Sequence, residues 1–133
     1  MGYSETIKIK VKSQEFVDIT EKVEDIVKES DIDTGLCNVF SKGSTSAILI
    51  NENEPMLLED LKKRLEKIAS SKDLYQHPEN AYSHIRSSLL GNNHTIPVAD
   101  GKLALGIWQQ IMVGNLDRET REREVVVTVV GGS

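Results

Sequence analysis

The sequence is poor in thiols: it has one cysteine, Cys37, among 133 residues. A single cysteine cannot form an internal disulfide, and it excludes a zinc site built from several thiolates. Cys37 lies in an apolar segment with no histidine beside it, so no Cys-His catalytic motif can be read. This cysteine usage is typical of a reducing compartment, and we expect a cytoplasmic location.

The sequence also lacks an excess of positive charge. The formal net charge is −5, which disfavours nucleic acid as the main partner because phosphate backbones are bound by basic patches. The first twelve residues, MGYSETIKIKVK, alternate charged and apolar side chains, so they form neither a signal peptide nor a membrane span. We therefore expect no nucleic-acid partner and no membrane partner.

The overall composition is that of an ordinary globular protein, with 38% apolar and 28% charged residues. A chain of this length predicts one domain, residues 1–133. No internal repeat, linker or low-complexity segment interrupts it.

Short alternating or β-branched runs predict about seven strands. They are residues 6–12, 15–19, 36–42, 46–51, 94–99, 102–111 and 125–130. The second strand should return beside the first. Asp100-Gly101 predicts a tight hairpin turn, and the run VVVTVV predicts a strand buried on both faces.

Helical spacing of apolar residues predicts helices over 20–30, over about 53–69 with Asn53 as its cap, and over 84–90 closed by Gly91. Strands and helices do not alternate strictly. The pattern therefore predicts an α+β fold, with sandwich-like mixed or antiparallel sheets of about seven strands and two or three helices.

The three histidines all lie in the stretch Tyr75–Leu105. Pro78 places His77 in a loop that the short helix could present to His84. Two neighbouring imidazoles can hold a divalent metal, zinc or magnesium, or act as acid. The alternative is that both histidines are ordinary surface or packing residues.

Gly43-Ser44-Thr45-Ser46 and Arg86-Ser87-Ser88 offer donors suited to phosphate. A glycine followed by hydroxyl residues can turn backbone N–H groups onto an anion, and arginine binds phosphate through two parallel hydrogen bonds. The alternative interpretation is that the glycine-serine segment is only a hairpin turn.

Three further segments allow two interpretations each. The carboxylates and amides of 51–54 can act as bases or ligands, or only cap a helix. Trp108-Gln109-Gln110 can form a binding wall, or a core tryptophan beside solvated glutamines. Arg118, Arg121 and Arg123 interleave with glutamates, which favours a self-neutralised loop over a basic site.

Three segments together carry a resemblance to a known family. They are YQHPENAYSHIRSSLLGNNHTIPVADGKLALGIWQQI, the upstream GSTSAILINEN and the closing RxRxVVVTVVG. In this order and spacing they resemble the YjbQ-like family, and its archaeal branch in particular. Members are small cytoplasmic proteins described as secondary thiamine-phosphate synthases. The similarity runs from about Gly35 to Gly131 and extends more loosely to the first strands.

The resemblance implies a homotrimer of sandwich-like subunits with a polar, metal-binding cleft near the subunit contacts. It also implies a weak activity that joins a pyrimidine diphosphate to a thiazole phosphate, so a small phosphorylated molecule is the expected partner. Motif positions and donor chemistry together assign catalysis to His84, His77, Arg86 and Glu52, and metal binding to His77 and His84. They assign substrate binding to Ser44, Thr45, Asn51, Asn80, Ser87, Trp108 and Gln109.

Two positions depart from the family pattern. Gly43 stands where many members carry a histidine, and Asn115 stands where many carry a glutamate. His94 is a possible stand-in ligand. With two potential ligands missing, three functions stay open: the transferase, a metal- or ligand-binding trimer without turnover, and a metal-dependent phosphoester hydrolase. For all three we expect His77, His84 and the Arg86 guanidinium to converge in one polar hollow.

Overall fold

The computed structural model describes residues 1–132. Over this range the chain forms three helices and eight strands. The helices are α1 (Thr20–Ser30), α2 (Pro55–Ile68) and α3 (Ala81–Leu90). The strands are β1 (Gly2–Val11), β2 (Phe16–Asp18), β3 (Thr34–Ser41), β4 (Ser46–Asn51), β5 (Asn93–Ala99), β6 (Lys102–Leu103), β7 (Gln110–Asn115) and β8 (Arg121–Gly132).

The strands form two sheets, and every pairing is antiparallel. The five-stranded sheet has the order β1-β8-β3-β5-β6, and the three-stranded sheet has the order β2-β7-β4. Their inner faces meet in one apolar core that also takes in α1, with side chains such as Val23, Val39, Ile48, Val113 and Val127. The predicted α+β sandwich is therefore confirmed.

Helices α2 and α3 cover the other face of the small sheet. Leu65 of α2 packs with Ala47 and Leu116, and Leu61 and Leu90 join this second cluster. The cap of α2 is not Asn53, as predicted, but Glu54, whose carboxylate accepts from the backbone N–H groups of Met56 at 2.9 Å and Leu57 at 2.8 Å.

The predicted Asp-Gly hairpin is confirmed. Asp100 and Gly101 have φ of 53° and 73°, as the turn that matches strand twist requires. The strand predicted over 102–111 is wrong in its extent, however. It breaks after Leu103, and the chain resumes as β7 in the other sheet.

Two pairings inferred from chain neighbourhood are also wrong. Strand β2 does not return beside β1 but pairs with β7. Strands β3 and β4, separated by only four residues, do not form a hairpin: β3 pairs with β5 and β8, whereas β4 pairs with β7. The short turn 42–45 therefore carries the chain from one sheet to the other.

The valine-rich strand β8 differs from the prediction of burial on both faces. Val125, Val127 and Val129 are fully buried in the sandwich core, but Val130 is 47% exposed. On the outer face Val130 pairs with Leu36, and Val126 pairs with Phe40. Leu36 and Phe40 are exposed too, so one chain leaves an apolar strip uncovered on its large sheet.

Candidate functional site

The loop between α2 and α3 folds back onto α3, and this brings two histidines together. The Tyr75 hydroxyl donates to the Ser70 carbonyl at 2.8 Å, which anchors the loop near the end of α2. Pro78 follows His77 and keeps it out of the helix, which begins at Ala81. His84 lies one turn into α3. The loop-and-helix arrangement expected from the sequence is confirmed.

The rings of His77 and His84 are in direct contact. Their centroids are 5.1 Å apart and their planes cross at 88°. His77 Nε2 lies 3.0 Å from Asn80 Oδ1. Asn80, predicted to bind substrate, therefore orients His77.

The two imidazoles line an open cavity of about 440 Å³, here called the histidine pocket. Its lining residues are Tyr75, Gln76, His77, Ala81, His84 and Ile85. Apart from the imidazoles and Gln76, these side chains present carbon. Such a pocket suits a flat heteroaromatic group, and the two imidazoles at its wall can form hydrogen bonds to that group.

Arg86 does not share this pocket, so the expected convergence of a guanidinium with the two imidazoles is wrong. Arg86 is buried, and its Nε and Nη2 donate to the Ala69 carbonyl at 3.0 and 2.9 Å. Nη1 donates to Gln14 Oε1 at 2.9 Å, and Nη2 reaches Glu66 Oε1 at 3.1 Å. The guanidinium also stacks 4.9 Å from the Tyr82 ring centroid. These contacts tie α3 to the end of α2.

Glu66 is the acidic partner in this anchor. The Ser71 hydroxyl, which donates at 2.8 Å, is the main cause that lowers the Glu66 pKa to about 2. Burial opposes the shift, while the Ser71 backbone N–H and Arg86 add to it.

A lowered pKa in the folded state makes Glu66 stabilising above its ordinary pKa of 4.5, and this contribution is lost as the pH falls from there through about 2. We therefore expect the free energy of unfolding to fall over this acid range less steeply in Glu66→Gln than in the wild type. Urea titrations at several pH values measure this; identical slopes would contradict the prediction.

The hydroxyl residues of the turn 42–45 lie at the start of β4. Ser44 is exposed, whereas Thr45 is buried and its hydroxyl lies 3.3 Å from Asp117 Oδ2. Ser87 is buried as well, and its hydroxyl donates to the Ser46 carbonyl at 2.6 Å. Of these predicted substrate-binding residues, only Ser44 has a free side chain; Thr45 and Ser87 hold the scaffold together.

Arg123 is the residue of this region that the sequence interpretation missed. The interleaved charges favour a self-neutralised loop, but Arg123 is buried and donates to both oxygens of Thr45 and to Asn115 Oδ1. The signal was present in the sequence. Strand side chains alternate, so Arg123 falls on the same face as the core residues Val125, Val127 and Val129.

The remaining predicted residues lie at the opposite end of β4. Asn51 pairs with Gln110, and the turn just before β7 exposes Trp108, which is 67% accessible. Gln109 accepts from the Gly106 N–H at 2.8 Å and closes this turn. Glu52 lines a small separate cavity against α2. Strand β4 runs over six residues from Ser46 to Asn51, so its two ends are roughly 17 Å apart at the usual rise per residue of a strand.

The side chains around His77 and His84 support the predicted metal site only in part. Within residues 1–132, no group of three or more His, Cys, Asp or Glu side chains is placed to hold a metal ion. His94 lies on β5 opposite Val39 and does not line the histidine pocket. Two imidazoles alone do not complete a zinc site.

Within residues 1–132, no helix has the length and apolar character needed to cross a membrane.

The sequence profile described as UPF0047 protein YjbQ-like matches residues 5–132. The chain therefore belongs to the UPF0047 (YjbQ-like) family. A UPF0047 protein of Methanothermobacter thermautotrophicus is 44% identical over 120 residues, covering 88% of this chain and 83% of the relative. One from Archaeoglobus fulgidus is 41% identical over 119 residues, covering 87% and 91%.

Solved structures show the same fold. A YbjQ-like protein of unknown function from Sulfolobus solfataricus superposes with a TM-score of 0.89 at 35% identity, covering 98% of this chain and 99% of the other. A hypothetical protein from Aeropyrum pernix gives a TM-score of 0.85 at 32% identity, covering 96% and 98%. These matches establish the family and the fold, and the names of the matched proteins state no activity.

Proposed function

We propose that this protein is a weak thiamine-phosphate synthase-like transferase that joins a pyrimidine diphosphate to a thiazole phosphate. The observation that carries the proposal is the histidine pocket, in which two touching imidazoles stand at the wall of a largely carbon-lined cavity of about 440 Å³. A pyrimidine or thiazole ring fits such a wall, and the imidazoles supply proton donors for a phosphate group.

The reaction breaks the bond between the pyrimidine methylene carbon and its diphosphate oxygen, and the thiazole nitrogen forms the new bond to that carbon. Pyrophosphate leaves with the bonding electrons, so negative charge develops on its oxygen. Donors placed at that oxygen lower the barrier. His84 supplies such a donor from α3, and His77, oriented by Asn80, supplies the second.

Arg86 enters this proposal only as the anchor of α3, since all its hydrogen bonds run to the protein scaffold. Asn51, Glu52, Trp108 and Gln109 do not line the histidine pocket, so the proposed reaction assigns them no step.

We propose a homotrimer on the basis of the uncovered outer strip of the large sheet, in which Leu36, Phe40 and Val130 are exposed. Apolar patches of this kind are usual at interfaces between copies. Phe40→Glu is expected to convert the assembly to monomers, as measured by analytical ultracentrifugation, whereas Met56→Glu, at an exposed position of α2, should not. A wild-type monomer at high concentration would contradict the trimer.

The lone buried thiol agrees with a reducing environment, and we propose a cytoplasmic location. Burial raises the pKa of Cys37 to about 11, so the thiol stays protonated and unreactive in the core.

The alternative function is binding of a divalent metal or phosphate ligand without turnover. The contact between two imidazoles favours it, and nitrogen ligands favour zinc over magnesium. One chain supplies two ligands, so waters or a residue from another copy would have to complete the shell. Zinc titration should then give saturable binding that His77→Ala removes; no zinc binding by the wild type would exclude this alternative.

The transferase and a phosphoester hydrolase are separated by product analysis. Purified protein is incubated with the pyrimidine diphosphate and thiazole phosphate together, and separately with simple phosphoesters. Formation of thiamine phosphate and pyrophosphate in equal amounts supports the transferase. Release of phosphate from simple esters, with thiamine phosphate as a minor product, would overturn it in favour of the hydrolase.

A further inference from the structure

The turn between β3 and β4 carries backbone donors without acceptors. The N–H groups of Gly43, Ser44 and Thr45 form no hydrogen bond with any residue in 1–132. The cause lies in the topology. The strands on either side of the turn join different sheets, so the hydrogen bonds that would close a hairpin are not made. Successive free N–H groups in a turn form a concave site for anions.

The Arg123 guanidinium lies directly beneath this turn. The side chain is only 6% exposed. Its Nη2 donates to the Thr45 carbonyl at 3.0 Å and to the Thr45 hydroxyl at 2.8 Å, and it also contacts Asn115 Oδ1. Its Nε is buried with no hydrogen-bond partner, and Nη1 finds no acceptor in the described part of the chain.

The charge on Arg123 is not balanced by a direct ion pair. Its three acceptors are neutral oxygens, and no carboxylate of residues 1–132 lies within ion-pair distance. Burial lowers the pKa of Arg123, and the nearby Asp117 carboxylate opposes this shift only in part, since it is paired with Arg121, Oδ2 to Nε at 3.2 Å. Lys42 also faces solvent here, in a loose 3.9 Å pair with Glu124. A buried cation with unused N–H groups is costly unless an anion completes its surroundings.

Gly43 is required for this arrangement. Its φ is +108°, and a Cβ placed on it would lie 2.8 Å from Arg123 Nη1. The guanidinium thus occupies the space into which a side chain at this position would project. A residue larger than glycine would have to displace Nη1 and strain the backbone.

We propose that the turn 43–45 and Arg123 form a binding site for a phosphate-class oxyanion. The free N–H groups of the turn and the exposed Ser44 hydroxyl face the anion, and Arg123 supplies the positive charge from below. Asn115 and Thr45 hold the guanidinium in place. The site goes beyond the transferase proposal because it requires no turnover, and it assigns to Arg123 the phosphate-binding role that sequence reasoning gave to Arg86.

The test is a titration of ¹⁵N-labelled full-length protein with inorganic phosphate, and separately with phenyl phosphate, against chloride at equal ionic strength. We expect the amide signals of Gly43, Ser44 and Thr45 to shift on one saturable curve with phosphate and not with chloride. Tighter binding of phenyl phosphate would support the site and identify the ligand as a phosphorylated compound rather than free phosphate.

Two arginine variants test whether Arg123 contributes to phosphate binding. Arg123→Lys should bind phosphate at least about tenfold more weakly, as expected for a lost hydrogen bond to a charged group, while the exposed Arg118→Lys serves as the matched control and should bind normally. No saturable shift in the wild type, an equal response to chloride, or unchanged affinity in Arg123→Lys would each overturn the proposal. Should Arg123→Lys fail to fold, the wild-type titration alone decides. Phosphate binding without thiamine-phosphate formation would uphold this site and count against the transferase.

Discussion

Arg86→Ala is expected to lower the free energy of unfolding by about 3 kcal/mol, because the substitution leaves buried acceptors without their donors. The Ala69 carbonyl loses two hydrogen bonds, Gln14 loses one and Glu66 loses its cation. The Tyr82 ring also loses the guanidinium packed against it. Urea unfolding, followed by circular dichroism, measures the change.

Arg64→Ala is the matched control, since Arg64 is an exposed arginine on α2 and its removal should change stability by less than about 0.5 kcal/mol. A stable Arg86→Ala protein that no longer binds phosphate would contradict the structural role and restore the ligand role first inferred for this residue. Arg86→Lys should recover only part of the stability, because one ammonium group cannot reproduce the planar set of donors.

His84→Ala is expected to reduce thiamine-phosphate formation by at least about 100-fold, the usual contribution of a positioned proton donor. His84 is partly exposed at the pocket wall, so its removal should leave the fold intact. The measurement is the rate of product formation at saturating substrates, with circular dichroism to confirm folding.

His94→Ala controls for loss of an imidazole outside the pocket and should retain the wild-type rate. Unchanged turnover in His84→Ala would remove the histidine pocket from the reaction. His77→Ala should lose activity too, and Asn80→Ala should lose less, since it frees the His77 ring without deleting it.

The elements that the sequence predicted well are those with local causes. Leucines at helical spacing (Leu57, Leu58, Leu61 and Leu65) define α2, which begins at Pro55. Asp100-Gly101 defines the hairpin between β5 and β6, and Pro78 keeps His77 in a loop facing α3. Each depends on residues a few positions apart, where backbone preference and side-chain spacing act directly. The contact between His77 and His84 followed from such local reasoning.

The errors arose where distant segments decide the outcome. Which sheet a strand joins depends on partners far along the chain. The short turn 42–45 therefore has the sequence of a hairpin turn although β3 and β4 belong to different sheets. The roles of Arg86 and Arg123 differ from the predicted roles for a similar reason. Arg86 has acceptors from α2 and from Gln14, which no local pattern indicates, whereas the inward position of Arg123 was readable from strand alternation.

The proposed function depends most directly on His77 and His84 forming one ligand-binding pocket. The most direct test is to follow the imidazole proton signals of all three histidines by NMR while the thiazole phosphate is added. We predict that the His77 and His84 signals shift together with one dissociation constant and that the His94 signal stays in place. Absence of any shift, or independent responses of His77 and His84, would contradict the claim.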